Sequence, residues 1–232
     1  ATPAPVRAQP KSVHIDLARL AARGLVTPDQ PRSAIAEEFR LIKRPLLANA
    51  VLEGPAAVDN GNLIMISSAL PGEGKTFNAI NLAISMAMEL DYTVLLVDAD
   101  RTPTQAVLAG YLRGEHPGQR GFGRLLQAAR ERRPMAEVLD DETIELPPLL
   151  ETDTPARLLP GFPHPGVVGL FGSAWPELMA ALAEWPGDVL IDAGRVGAEG
   201  LPLPLTQRAD LVLMETGTSL VALAGLRLYL GG

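Results

Sequence analysis

The segment SSALPGEGKTFNAINLAISMAMELDYTVLLVDAD, residues 67–100, packs glycines, a lysine and a threonine into a tight run. A long apolar stretch of helical spacing follows, and two aspartates close it. Just before the run, GNLIMISSA (61–69) is a short β-type sequence of the kind buried in a parallel sheet. Lys75 to Leu90 reads as a helix and YTVLLVDAD (92–100) as the next strand. Strand, glycine loop, helix and strand make one βαβ unit, whose right-handed crossover puts the loop at the carboxyl edge of the sheet.

A polyphosphate tail concentrates negative charge and needs many donors at close range. Gly72 and Gly74 let the backbone wrap a phosphate with its N–H groups turned inward, and the following helix adds its positive amino end. Lys75 is spaced to reach the β- and γ-phosphates and the Thr76 hydroxyl to bind Mg²⁺. Pro71, Gly72, Glu73, Gly74, Lys75, Thr76 and Phe77 are therefore the expected binding loop for ATP or ADP with Mg²⁺. Ala69 stands where this pattern usually has its first glycine.

Asp98 and Asp100 end the second strand on the loop's side of the sheet, and alternation turns both one way with Ala99 the other. They read either as a solvated strand end or as a pair that binds Mg²⁺ through water and takes a proton from an attacking hydroxyl. Asp192 closes DVLID (188–192) in the manner of a metal-binding strand end, a form that many strands share.

Working outward, 232 residues suit one substantial α/β domain with an arm. The net charge of −7 and the absence of a concentrated basic run argue against nucleic acid as a partner. With no cysteine, disulfides and thiolate metal sites are excluded. His14, His116 and His164 are scattered and read as surface histidines. No stretch looks long and apolar enough for a membrane span, and ATPAPVRAQPKS (1–12) reads as a flexible arm without a secretory core.

SAIAEEFRLIKRPLLANAVLEG (33–54) opens on Ser33 as N-cap and carries Pro45, where a kink or break is expected. RGFGRLLQAARERR, SAWPELMAALAEW and SLVALAGLRLYL read as helices, and ADLVLMET as a buried strand. The alternation predicts a three-layer α/β fold of the P-loop type, a mostly parallel sheet with helices on both faces. Its expected parts are an arm over 1–12, amino-terminal helices over 13–52 and a nucleotide-binding domain over 53–232.

With these residues in place, the chain resembles the bacterial tyrosine kinases of exopolysaccharide export, most of all their exosortase-associated autokinase branch. LARLAARGLVTPDQPRSAIAEEFRLIKRPLLANA (17–50) is similar to that family's amino-terminal helices, and residues 67–100 to its two nucleotide motifs. Partition-type ATPases of the MinD and ParA kind share the fold class. They carry an extra lysine in the loop, where this chain has Leu70.

The resemblance implies a protein tyrosine (auto)kinase with Lys75, Asp98 and Asp100 in catalysis and Thr76, Asp98 and Asp192 at the metal. It implies a homo-oligomer in which Glu37, Arg40 and Lys43 dock on a neighbouring subunit, although the same three residues could form a solvated helix stripe. It further implies a membrane polysaccharide co-polymerase as activator and a tyrosine-bearing acceptor. The expected location is cytoplasmic, with recruitment to the inner face of the membrane by that partner.

Three departures stand out. Lys43 replaces the family's arginine, IDAGRVGAEG (191–200) lacks its usual prolines, and the tyrosines are Tyr92, Tyr111 and Tyr229 with no terminal cluster. Tyr229, on an apolar helical pattern, reads as a packed core or interface residue. Arg124, Arg130, Arg132 and Arg133 form a basic patch, either a solvated face or a contact for a partner or nucleotide. A switch that hydrolyses ATP, or a nucleotide-binding scaffold with impaired catalysis, are the other readings.

Overall fold

Alternate residues of each central strand enter two different cores, which makes the molecule three layers deep. Leu63, Met65, Leu95, Val97, Val189 and Ile191 face one side, while Ile64, Ile66, Val94, Leu96 and Leu190 face the other. The computed structural model describes residues 17–51, 61–89, 92–103, 120–146, 156–196 and 202–230. The arm expected over 1–12 lies outside them, as do His14, His116 and Tyr111.

The strands are β1 (Leu63–Ser68), β2 (Val94–Asp98), β3 (Ile144–Glu145), β4 (Arg157–Leu159), β5 (Asp188–Arg195) and β6 (Leu211–Glu215). Among the described residues they form one sheet in the order β3-β4-β2-β5-β1-β6. Every pairing is parallel except β3 with β4. The inner strands β1, β2 and β5 are buried along nearly their whole length because both their faces are covered, whereas the edge strand β6 leaves Val212 exposed.

On one face lie α1 (Leu17–Ala21), α2 (Ala34–Val51) and α3 (Lys75–Ala87), whose Leu20, Phe39, Leu46, Ile80 and Met86 fill the gap to the sheet. The other face is covered by α4 (Phe122–Arg130), α5 (Met135–Glu142), α6 (Pro165–Val168), α7 (Trp175–Ala183) and α8 (Leu203–Arg208). There Phe122, Phe162, Phe171 and Trp175 cluster with ring centroids 4.4–6.1 Å apart. The last helix, α9 (Leu220–Leu230), buries only Ala222.

Several expectations change here. Ser33 does cap α2, its hydroxyl accepting the Ala36 N–H at 3.4 Å. Pro45, however, does not break that helix, which runs unbroken from Ala34 to Val51. The carbonyl that Pro45 leaves without an intrahelical partner belongs to Leu41, which is 70% exposed, so water can serve it. The helical stretch Pro165–Ala183 is long and apolar enough to cross a membrane, contrary to the sequence reading. Its Val167, Phe171, Trp175, Leu178 and Leu182 nevertheless belong to the core. Tyr229 is exposed, which removes the core half of its expected reading and leaves the interface half. Arg124, Arg130, Arg132 and Arg133 are all exposed, which suits a solvated face and a contact surface alike.

Candidate nucleotide site at the carboxyl edge

Sheet register brings four polar strand ends together. Asp98 lies opposite Asp192, and Ser68 opposite Glu215. Asp98 and Asp192 share parity with Leu96 and Leu190, and Glu215 with Leu211 and Leu213, so all three acids point to the face that carries α3. Ala99 turns into the opposite core, as alternation requires. The loop that starts α3 therefore opens above a row of carboxylates. Asp98 and Asp192 are buried, at 1% and 0% exposure.

The loop itself needs its glycines. Gly72 has φ +78° and Gly74 φ +96°, left-handed conformations that side chains disfavour. No atom lies within 4 Å of where a Gly72 side chain would begin, so the loop faces open space there. Gly74 is the N-cap of α3 and offers no side-chain cap, which leaves first-turn N–H groups for a ligand. The donor set fits a phosphate chain. Among the described residues no group of three or more acids or histidines closes on a metal by itself, so a divalent cation at Asp98 and Asp192 would need phosphate oxygens as further ligands.

Lys75 Nζ lies 3.1 Å from Asp100 Oδ2. The other Asp100 oxygen accepts the Thr102 N–H at 2.9 Å. A side chain on Gly194 would begin 3.1 Å from the Asp100 carboxyl carbon, and Gly194 itself has φ +73°. Asp192 Oδ1 takes the Gly194 N–H at 3.1 Å, and the Ser67 hydroxyl donates to the Gly194 carbonyl at 2.9 Å. The IDAG turn thus sets its aspartate at the strand end and a glycine close beside Asp100.

Other expected site residues are placed differently. Thr76, on the first turn of α3, is half-buried, and Pro71 is exposed at the loop. Glu73 turns its carboxylate to the backbone of Leu70 and Gly217. The Phe77 ring packs against Gly24 and the α1–α3 core, so its contribution to a ligand is limited to its backbone.

Lys43 is 6% exposed and locks α2 onto α3, donating to the Ser85 carbonyl at 2.6 Å and pairing with Glu89 at 2.7 Å. The stripe expected to meet another subunit is thereby reduced to Glu37 and Arg40, which remain accessible and pair with each other at 3.0 Å.

Sequence reasoning missed Asn78 and Glu215. The Asn78 amide donates to Glu215 Oε2 at 2.7 Å. Burial pushes the Glu215 carboxyl up to about 7, with Asp192 and Glu73 adding to the rise and the Asn78 bond and Lys75 opposing it. The signal was an apolar run ending on an acid in LVLMET (211–216), the same form that drew attention to Asp192.

No protein-family model matches the chain. Over 84 residues it is 38% identical to the tyrosine-protein kinase YwqD of Bacillus subtilis. Over that segment the chain is similar to a bacterial tyrosine kinase. The match takes in 35% of this chain and 32% of YwqD, so it spans about a third of that relative.

Among solved structures, the kinase domain of Escherichia coli tyrosine kinase ETK aligns with a TM-score of 0.59 at 20% identity, covering 88% of this chain and 74% of that one. The VpsO kinase domain aligns at 0.55 and 23% identity, covering 86% and 93%. A ParA family ATPase from Chlorobium tepidum aligns at 0.58 and 20% identity, covering 73% and 67%. At these identities the likeness is one of fold, and the fold is the α/β P-loop type.

Proposed function

We propose that this chain binds Mg-ATP at the carboxyl edge of its sheet and transfers the terminal phosphoryl group to a protein tyrosine. The observation that carries the reading is the convergence of Lys75, Asp100, Asp98 and Asp192 beside the uncapped start of α3. Lys75 and the N–H groups of residues 72–76 bind and orient the phosphates. Thr76, Asp98 and Asp192 would hold Mg²⁺, whose charge offsets that of the phosphate oxygens. Asp98 or Asp100 accepts the proton of the acceptor hydroxyl.

By the resemblance to the kinases of exopolysaccharide export, the domain works at the cytoplasmic face of a membrane. A polysaccharide co-polymerase activates it, and Glu37 and Arg40 contact a second subunit. The working division remains amino-terminal helices over 13–52 and a nucleotide domain over 53–232.

A partition-type switch, which passes the phosphate to water, is the second reading, favoured by the fold likeness to a ParA family ATPase. Leu70 in place of an extra loop lysine speaks against it. A scaffold that only binds nucleotide is the third.

The test is incubation with Mg-ATP and a tyrosine-rich acceptor peptide, with phosphotyrosine mapped by mass spectrometry and released phosphate measured in parallel. Phosphotyrosine that disappears in Lys75→Met and Asp98→Asn supports the kinase. Phosphate release without phosphotyrosine supports the switch, and neither product despite bound nucleotide supports the scaffold.

A further inference from the structure

The phosphate loop is braced from outside itself. Glu73 stands between the two glycines that shape the loop, and its carboxylate gathers donors from two separate segments. Oε2 accepts the Leu70 N–H at 2.6 Å and Oε1 the Gly217 N–H at 3.2 Å. Burial alone would raise the Glu73 pKa. The Leu70 and Gly217 N–H groups, helped by the Thr216 hydroxyl and the Ala69 backbone, lower it overall.

Two further contacts flank this one. Asn78 binds Glu215, and the Leu70 side chain sits where a side chain on Gly225 would begin, 3.4 Å away. Residues 70, 73 and 78 are therefore matched with 225, 217 and 215, along the connection from β6 to α9.

We propose that Glu73 is a positioning residue, which holds the phosphate loop in its nucleotide-receiving shape by tying it to the 215–217 connection. The inference rests on the nucleotide-site reading above. A loop with two glycines at positive φ has wide backbone freedom, and ordering it at the moment of binding would cost affinity. Charge-assisted bonds from one carboxylate to two backbone segments remove that freedom beforehand.

The sign of one substitution separates positioning from plain electrostatics. A carboxylate beside a phosphate site repels the ligand, so removing it on charge grounds alone tightens binding. If Glu73 positions the loop, removing it loosens binding instead.

The experiment titrates fluorescent mant-ADP with Mg²⁺ into the wild type, Glu73→Ala and Glu73→Gln, and records each melting midpoint without nucleotide. Glu73→Ala is expected to bind about tenfold more weakly, the scale of one lost preorganising contact, with Glu73→Gln in between and the melting midpoints little changed. Glu73→Ala binding as tightly as the wild type, or more tightly, overturns the proposal. So does weaker binding that tracks a lowered melting midpoint with no recovery in Glu73→Gln. A wild type that does not bind mant-ADP overturns the nucleotide-site reading and this inference together, which separates the two failures.

Discussion

The amine of Lys75 lies 3.1 Å from the carboxylate of Asp100, so the lysine proposed to meet phosphate is already paired inside the chain. Both side chains are mostly buried, at 16% and 19% exposure, and water screens the pair only in part. An incoming phosphate competes with Asp100 for the same charge.

Asp100→Asn therefore frees Lys75 and removes a negative charge from the site. Mg-ADP affinity should rise about three- to tenfold, the size of a partly buried ion pair near 1 kcal/mol, while phosphoryl transfer falls. Calorimetry and a transfer assay on the same variant check the split. Affinity that falls with transfer would mean that Asp100 serves chiefly to hold the ligand.

Glu215 gives the site a pH dependence. Its carboxyl, raised to about 7, is mostly neutral at pH 6 and mostly ionised at pH 8. Ionisation adds a negative charge beside Gly74, so nucleotide affinity should fall as pH rises through 7. In Glu215→Gln that fall should be absent, and the affinity ratio of variant to wild type should grow by about three- to tenfold between pH 6 and 8. A constant ratio would detach Glu215 from the site.

Asp188 acts on stability at the other edge of the sheet. It is 4% exposed, its Oδ2 finds no hydrogen-bond donor, and burial raises its pKa from 3.8 to about 6. The folded state thus keeps a proton that the unfolded state has lost. This contribution is whole below pH 3.8 and is lost as pH rises through about 6. Asp188→Asn should match the wild type near pH 4 and exceed it by roughly 2–3 kcal/mol above pH 7. Urea unfolding at the two pH values measures the difference, and a gap that does not widen with pH would contradict the assignment.

Lys43 anchors α2. Lys43→Met keeps the apolar stem but loses the bonds to Ser85 and Glu89, which should lower stability by about 1–3 kcal/mol. An unchanged urea midpoint together with an altered sedimentation coefficient would instead return Lys43 to a contact with another subunit.

The βαβ unit was legible because its signals are local. Residues 61–100 carry a strand, a glycine loop and an apolar helix in immediate succession, and each observed element lies inside its expected span. The two faces of the sheet followed from uninterrupted apolar strands. Contacts between segments far apart in sequence were not legible. Lys43 at i+6 from Glu37 looked like part of one polar stripe, yet Ser85 and Glu89 draw it inward from another helix. Glu73 read as a ligand-facing loop residue because its partner Gly217 lies 144 positions away. Pro45 misled because the penalty for proline depends on whether the orphaned carbonyl meets water, which solvent exposure decides.

The central claim is that residues 71–77 form a working nucleotide site that depends on Lys75. Its most direct test is a calorimetric titration of Mg-ADP into the wild type and into Lys75→Met. The account predicts saturable one-to-one binding to the wild type and at least about tenfold weaker binding to the variant, the cost of one charge-assisted phosphate contact. No binding to the wild type, or equal affinity in both proteins, would contradict it.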